Sequence, residues 1–318
     1  MKKIKIIIST RLFFNSLIFL ISFLTLAQRH KLDVNDTKII KEIFDESLTS
    51  RETYKLLDHL CNKIGHRLSG SAAASKAVEW TEMIMSKYNF DKVYKQNLYV
   101  PNWKRGESEV AKIIGQTKEL SVLALGMSVS TPKKGITAEV IEVQGLEDLE
   151  VLGREKIEGK IVFFNRPTDQ RLISTGSAYG GAVDQRTSGP SMAAKYGAVA
   201  VVIRSVGTAF DDIPHTGVTR YKEGIKKIPA AALGVKSADR LEQALKDNAN
   251  VKLFIKMNCI TLDDAPSHNV IGELIGNEFP DEIITVGGHL DSWDVGQGLS
   301  LIHISEPTRP ERIAYSLL

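Results

Sequence analysis

Val286-Gly287-Gly288-His289-Leu290-Asp291-Ser292-Trp293-Asp294 closes an apolar, β-branched run that begins at Glu282. A run of that length predicts a buried strand, paired with the similar run Asn269 to Ile275. His289 and Asp291 are two residues apart, so on a strand both side chains share a face and converge on one point. The C-terminal edge of a strand is where α/β proteins place their sites. A His with a nearby carboxylate is also the pattern of an imidazole oriented to bind a metal. The bare His-x-Asp spacing is met more often in inert, hydrogen-bonded histidines, and it is the following Ser292-Trp293-Asp294 that sets this copy apart.

Working outward, residues 121–258 have a different texture. Short β-branched runs (Thr137 to Val143, Lys160 to Phe164, Ala198 to Ile203, Val251 to Met257) alternate with Gly, Pro and Ser. Only Gly189 to Tyr196 and Ser237 to Asp247 read as helical there, which predicts a compact β-rich module. Upstream, Ile39, Ile40, Ile43 and Phe44 make one helical face, Ser50 is placed to cap a second helix, and Ser71 opens a third from Ala72 to Tyr88. Val93 to Val100 predicts a strand, stopped by Pro101.

The other candidates carry less. His59, His66 and His268 read as surface, packing or turn histidines. Asp263 and Asp264 read as a solvated loop, and Pro214-His215-Thr216-Gly217 as a shaped loop with some capacity to bind. Gly153 to Gly159 misses the phosphate-loop spacing, and Gly176 to Gly181 lacks the dinucleotide frame. No G-x-S-x-G elbow is present, which removes the serine-hydrolase signature. Cys61 and Cys259 are the only cysteines, and spacing alone leaves their pairing open. Asn35-Asp36-Thr37 fits a glycosylation sequon.

At 318 residues, 43% hydrophobic and 25% charged, the chain has the make-up of a globular protein. Its net charge of +3 comes from residues 1–27, which hold four of the 41 basic residues and no acid, so 37 basic residues face 38 acids in the remainder. There is no basic footprint for nucleic acid. Residues 1–27 predict a signal peptide cleaved near Ala27, hence a secreted or periplasmic protein with no stable membrane insertion afterwards. An uncleaved anchor is the competing reading, disfavoured by the short apolar core.

Seven motifs, in order, resemble the carboxypeptidase Q (plasma glutamate carboxypeptidase) family. They are Gly65-His66-Arg67-Leu68-Ser69-Gly70-Ser71, Val100-Pro101-Asn102-Trp103-Lys104-Arg105-Gly106, Gly159 to Phe164, Ala193 to Ala198, Pro214 to Gly217, Ser267-His268-Asn269-Val270 and Gly287 to Asp294. The resemblance implies an α/β fold: a partial zinc-exopeptidase catalytic domain, a mixed sheet flanked by helices, with an inserted protease-associated domain. It divides the chain into a signal peptide (1–27), a first peptidase part (28–124), the insertion (125–260) and the start of the metal-site part (261–298). It implies two zinc ions, a dipeptide or short-peptide substrate and hydrolysis by metal-activated water, with His289 a zinc ligand and Asp291 the carboxylate that orients it. It leaves a homodimer open.

The resemblance stops at Gly298, and the family's later metal ligands have no counterpart. Residues 299–318 are expected to be an artefactual tail, since Leu299 to Arg309 reads like a translated transposase sequencing adapter. Unrelated codons there would refute this. The expectation is therefore an exopeptidase fragment that is inactive by itself. The alternative is a non-catalytic binding protein on the same scaffold.

Overall fold

The computed structural model describes residues 34–107 and 109–296; the expectations for 1–27 and 299–318 lie outside them. The chain divides into two compact units after Lys63.

The first unit is helical. Helix α1 (Val34–Thr49) carries the expected face of Ile39, Ile40, Ile43 and Phe44, and that face is exposed. Helix α2 (Glu52–Asp58) starts at Arg51, which takes a left-handed conformation (φ 54°), one residue later than the predicted cap at Ser50. It continues into a π-helical turn, His59–Ile64. Among the described residues no helix is long and apolar enough to cross a membrane.

The second unit opens with α3 (Ala72–Met85), whose start is fixed as expected by Ser71, the hydroxyl accepting from the Ala74 amide at 3.1 Å. Helix α3 packs on a two-stranded antiparallel ribbon, β1 (Lys92–Lys104) with β9 (Ile260–Glu273). Pro101 does not end β1. It sits in a bulge: Val100 faces Ala265 and Asn102 faces Leu262, so Pro101 stands opposite Asp263 and Asp264. A residue without an N–H is tolerated where the ladder is already interrupted. Asp263 and Asp264 are solvated as expected, but on a strand instead of a loop. His268 lies within β9 opposite Asn97 and not at a strand start.

The remaining strands form one mixed seven-stranded sheet. They are β2 (Val110–Ile113), β3 (Val122–Ala124), β4 (Ile136–Val143), β5 (Ile161–Phe164), β6 (Ala200–Arg204), β7 (Ala230–Leu233) and β8 (Lys252–Lys256). Their order is β2-β8-β4-β5-β6-β7-β3; β4 to β7 run parallel, and β2, β8 and β3 are antiparallel to their neighbours. Alternation splits the core into two layers. Ile161, Phe163, Ala200 and Val202 face one side, with Trp103, Leu253 and Leu241 of α8 (Val235–Asp247). Val162, Phe164, Val201 and Ile203 face the other, with Leu149 and Ile157 of α4 (Glu147–Ile157) and Ala193 of α7 (Gly189–Lys195).

Covering both faces of a parallel centre with helices is the ordinary solution for such a sheet. The α/β class is thus as expected, but the module holds more helix than its β-rich texture announced: α4, α5 (Thr175–Gly180) and α6 (Asp184–Thr187) join the two anticipated helices. Helix α4 was hidden by Gly153, a left-handed break (φ 65°) inside it. Its acids at Glu147, Asp148 and Glu150 and bases at Arg154 and Lys156 nonetheless match the helix dipole.

Glu282 to Gly288 corrects the opening expectation. It forms no strand, Asn269 pairs with Gln96 of β1 instead, and Ile283, Ile284 and Val286 are 89%, 89% and 92% exposed. An apolar run becomes a strand only where neighbours hydrogen-bond its edges and cover its faces. The described residues offer this run neither.

Candidate functional site

Although the strand is absent, His289 and Asp291 meet. His289 Nδ1 donates to Asp291 Oδ1 at 2.9 Å and to the Asp291 carbonyl at 2.8 Å. This fixes the tautomer: the proton sits on Nδ1 and Nε2 keeps its lone pair for a cation. The Asp291 carboxylate holds the imidazolium above its ordinary 6.5, against the opposite pull of partial burial. Both side chains are about half exposed, at 44% and 53%.

Two buried arginines hold the backbone that carries this pair. Arg67 donates from Nε to the Leu290 carbonyl at 2.8 Å and from Nη1 to the Gly65 carbonyl. Its amide donates to Ser292 Oγ at 3.0 Å, and the Ser292 amide returns a bond to the Arg67 carbonyl at 2.9 Å. Leu290 and Ser292 flank Asp291, so one arginine fixes the peptide on either side of it. Nearby, the His66 ring donates from Nε2 to the Gly296 carbonyl at 2.5 Å.

Arg105 makes the second anchor. Its fork takes Asp294 bidentately, Nε to Oδ2 and Nη2 to Oδ1, both at 2.8 Å. Nη1 reaches the Ala124 carbonyl and lies 3.5 Å from Glu109 Oε1. Burial pushes Glu109 above its ordinary carboxylate value, partly opposed by the Ala124 amide that donates to it at 2.8 Å and by Arg105. The guanidinium also lies 5.1 Å from the ring centre of Trp103, whose indole N–H donates to the Ser128 carbonyl at 2.9 Å. Trp293 sets the edge of its six-membered ring against Gly126, where any Cβ would overlap the indole. Two separated motifs, around Arg67 and around Arg105, therefore converge on the third.

Sequence reasoning expected His289 and Asp291 to meet and singled out Ser292-Trp293-Asp294 beside them, but it gave no role to Arg67, Arg105 or Glu109. The available signal was Arg67, Arg105 and Asp294, each inside a quoted motif, since a buried charge needs a partner somewhere. Cys259 lies beside this network as a buried thiol. Burial, then the neighbouring Glu109, pushes it up to about 12, so it stays protonated and unreactive.

The donor set fits one metal ligand with its orienting carboxylate, and no more. Among the described residues no group of three or more His, Cys, Asp or Glu side chains could hold a metal ion, whereas a catalytic zinc takes three protein ligands.

No protein-family model matches the chain. Carboxypeptidase Q of Homo sapiens is 36% identical over 246 residues, 77% of this chain and 50% of that protein. The Xenopus laevis protein of the same name is 35% identical over 272 residues, 84% of this chain and 56% of that one. The chain thus spans about half the length of the curated relatives it matches. Among solved structures, a peptidase M28 precursor from Shewanella amazonensis SB2B superposes with a TM-score of 0.77 at 35% identity, covering 82% of this chain and 59% of that one. An aminopeptidase from Aneurinibacillus sp. strain AM-1 shares the fold at 19% identity, with a TM-score of 0.51 and coverage of 80% and 56%. In sequence and in fold, the chain is similar to carboxypeptidase Q over about half of that protein's length.

Proposed function

We propose that this chain is part of a secreted metallo-exopeptidase that hydrolyses dipeptides or short peptides, with His289 a zinc ligand and Asp291 the carboxylate that orients it. The observation that carries this is the His289–Asp291 contact at 2.9 Å, held between two buried arginines within a chain 35–36% identical to carboxypeptidase Q. Zinc in such a site supplies a Lewis acid and a bound water of lowered pKa. The work of this chain's own residues stops earlier: Asp291 holds the Nδ1 proton, and Arg67 and Arg105 hold the loop. Two zinc ions, a protease-associated role for residues 125–260, signal cleavage near Ala27 and a homodimer belong to the same reading.

The second reading, a binding protein on a peptidase scaffold, is favoured by the missing third ligand among the described residues. The two are separated by expressing this chain alone and at the full length of its relatives, then measuring bound zinc and dipeptide turnover. The exopeptidase reading expects less than one zinc and no turnover for the 318-residue chain. It expects zinc with turnover at full length, both lost in His289→Ala. Full-length protein that neither binds zinc nor cleaves dipeptides refutes it.

A further inference from the structure

Arg186 is 6% exposed and makes no ion pair with any described carboxylate. Its Nη2 donates to the Tyr179 hydroxyl, and its guanidinium lies 5.2 Å from the Tyr179 ring centre, but Nε and Nη1 are buried with no hydrogen-bond partner. An unneutralised buried guanidinium is costly, and a buried N–H without an acceptor adds to that cost. The anomaly is local. Of the five orphaned buried side-chain atoms among the described residues, four lie on Arg166, Gln185 and Arg186. The backbone is shaped to the cation: Gly217 lies flat on the guanidinium, where any Cβ would overlap it.

The loop over the guanidinium is bonded to the residue on which the His289 segment packs. Gly217 accepts from the Gly126 amide at 2.9 Å, and Gly126 is the residue on which Trp293 packs. On the other side the exposed His215 ring meets Tyr179 edge-on, with centroids 6.0 Å apart. Pro214 to Gly217, read from sequence as a shaped loop, therefore connects the buried cation to the segment bearing His289 and Asp291.

We infer that Arg186, with Tyr179 beside it, is a carboxylate-binding subsite that takes the free α-carboxylate of a peptide substrate. An arginine fork matches a carboxylate in shape and charge, and a desolvated one binds it more tightly than an exposed one. This rests on the peptidase reading for the identity of the ligand, but not for the binding chemistry.

The test uses metal-free 318-residue chain with glycylglycine, glycylglycine amide and N-acetylglutamate amide as probes, followed by calorimetry and by the Arg186 Nε–H resonance. The expected result is binding of glycylglycine with a shift of that resonance. Affinity should fall at least about tenfold for the amide and for Arg186→Met, the loss of one charge-assisted contact. Tyr179→Phe, which keeps the ring, should weaken it less, and it serves if Arg186→Met fails to fold by circular dichroism. Equal binding of the amide, an unmoved Nε–H, or preference for N-acetylglutamate amide overturns the assignment. Neither zinc nor turnover is measured, so this result is separable from failure of the peptidase reading.

Discussion

Ile161-Val162-Phe163-Phe164 and Ile283-Ile284-Thr285-Val286 are alike in hydropathy and β-propensity, yet they meet opposite fates. The first is β5, with no accessible surface and hydrogen-bonded neighbours on both edges. The second is irregular backbone with its three aliphatic side chains about nine-tenths exposed. The difference lies in what surrounds each run, and it teaches that a strand here is a property of the sheet more than of its own residues. Order in the His289 segment comes from a different source, two buried arginines that grip Leu290, Ser292 and Asp294.

The sharpest test of that contrast is Phe163→Ala. Removing a fully buried ring should cost about 3–5 kcal/mol and lower the urea midpoint of the sheet. Next, Arg105→Met leaves buried Glu109 and Asp294 without their cation and should cost about 3 kcal/mol. It should also release Trp293 from its packed environment, read by indole fluorescence. If Arg105→Met leaves Trp293 emission unchanged, the arginine is not what orders the segment. Gly126→Ala should expel the indole at a cost of about 1–3 kcal/mol, with the sheet intact by circular dichroism.

Smaller still is Asp291→Asn. The native pair raises His289 above 6.5, so its stabilisation is complete below 6.5 and is lost as pH rises through the raised folded value. In Asp291→Asn an NMR titration should place His289 lower, with little pH-dependence of stability left from the pair. Ile284→Ser should change stability by no more than about 0.5 kcal/mol, as for an exposed site. A loss comparable to Phe163→Ala would mean that the run is buried after all and would break the comparison.

Local features of the fold were legible wherever a short-range signal governs. Ser71 as a cap, the short β-branched runs that form β4, β5, β6 and β8 and the His289–Asp291 proximity all depend on neighbours within a few residues. Helix α4 was obscured because Gly153 interrupts its pattern, although its charges followed the dipole. Pro101 misled for the opposite reason: proline stops an isolated strand, but the bulge opposite Asp263 and Asp264 removes the need for its N–H. The pairing of β1 with β9 was out of reach, because its partners are more than 150 residues apart.

The sequence by itself therefore determined the seven ordered motifs and the two-residue spacing of His289 and Asp291, and the resemblance those motifs carry implied the α/β class. Only the tertiary structure decided that Glu282 to Gly288 is not a strand, that Arg67 and Arg105 hold the His289 segment, and that Arg186 is buried without an acid. Burial and charge pairing are set by which distant segments meet, and no local pattern encodes that.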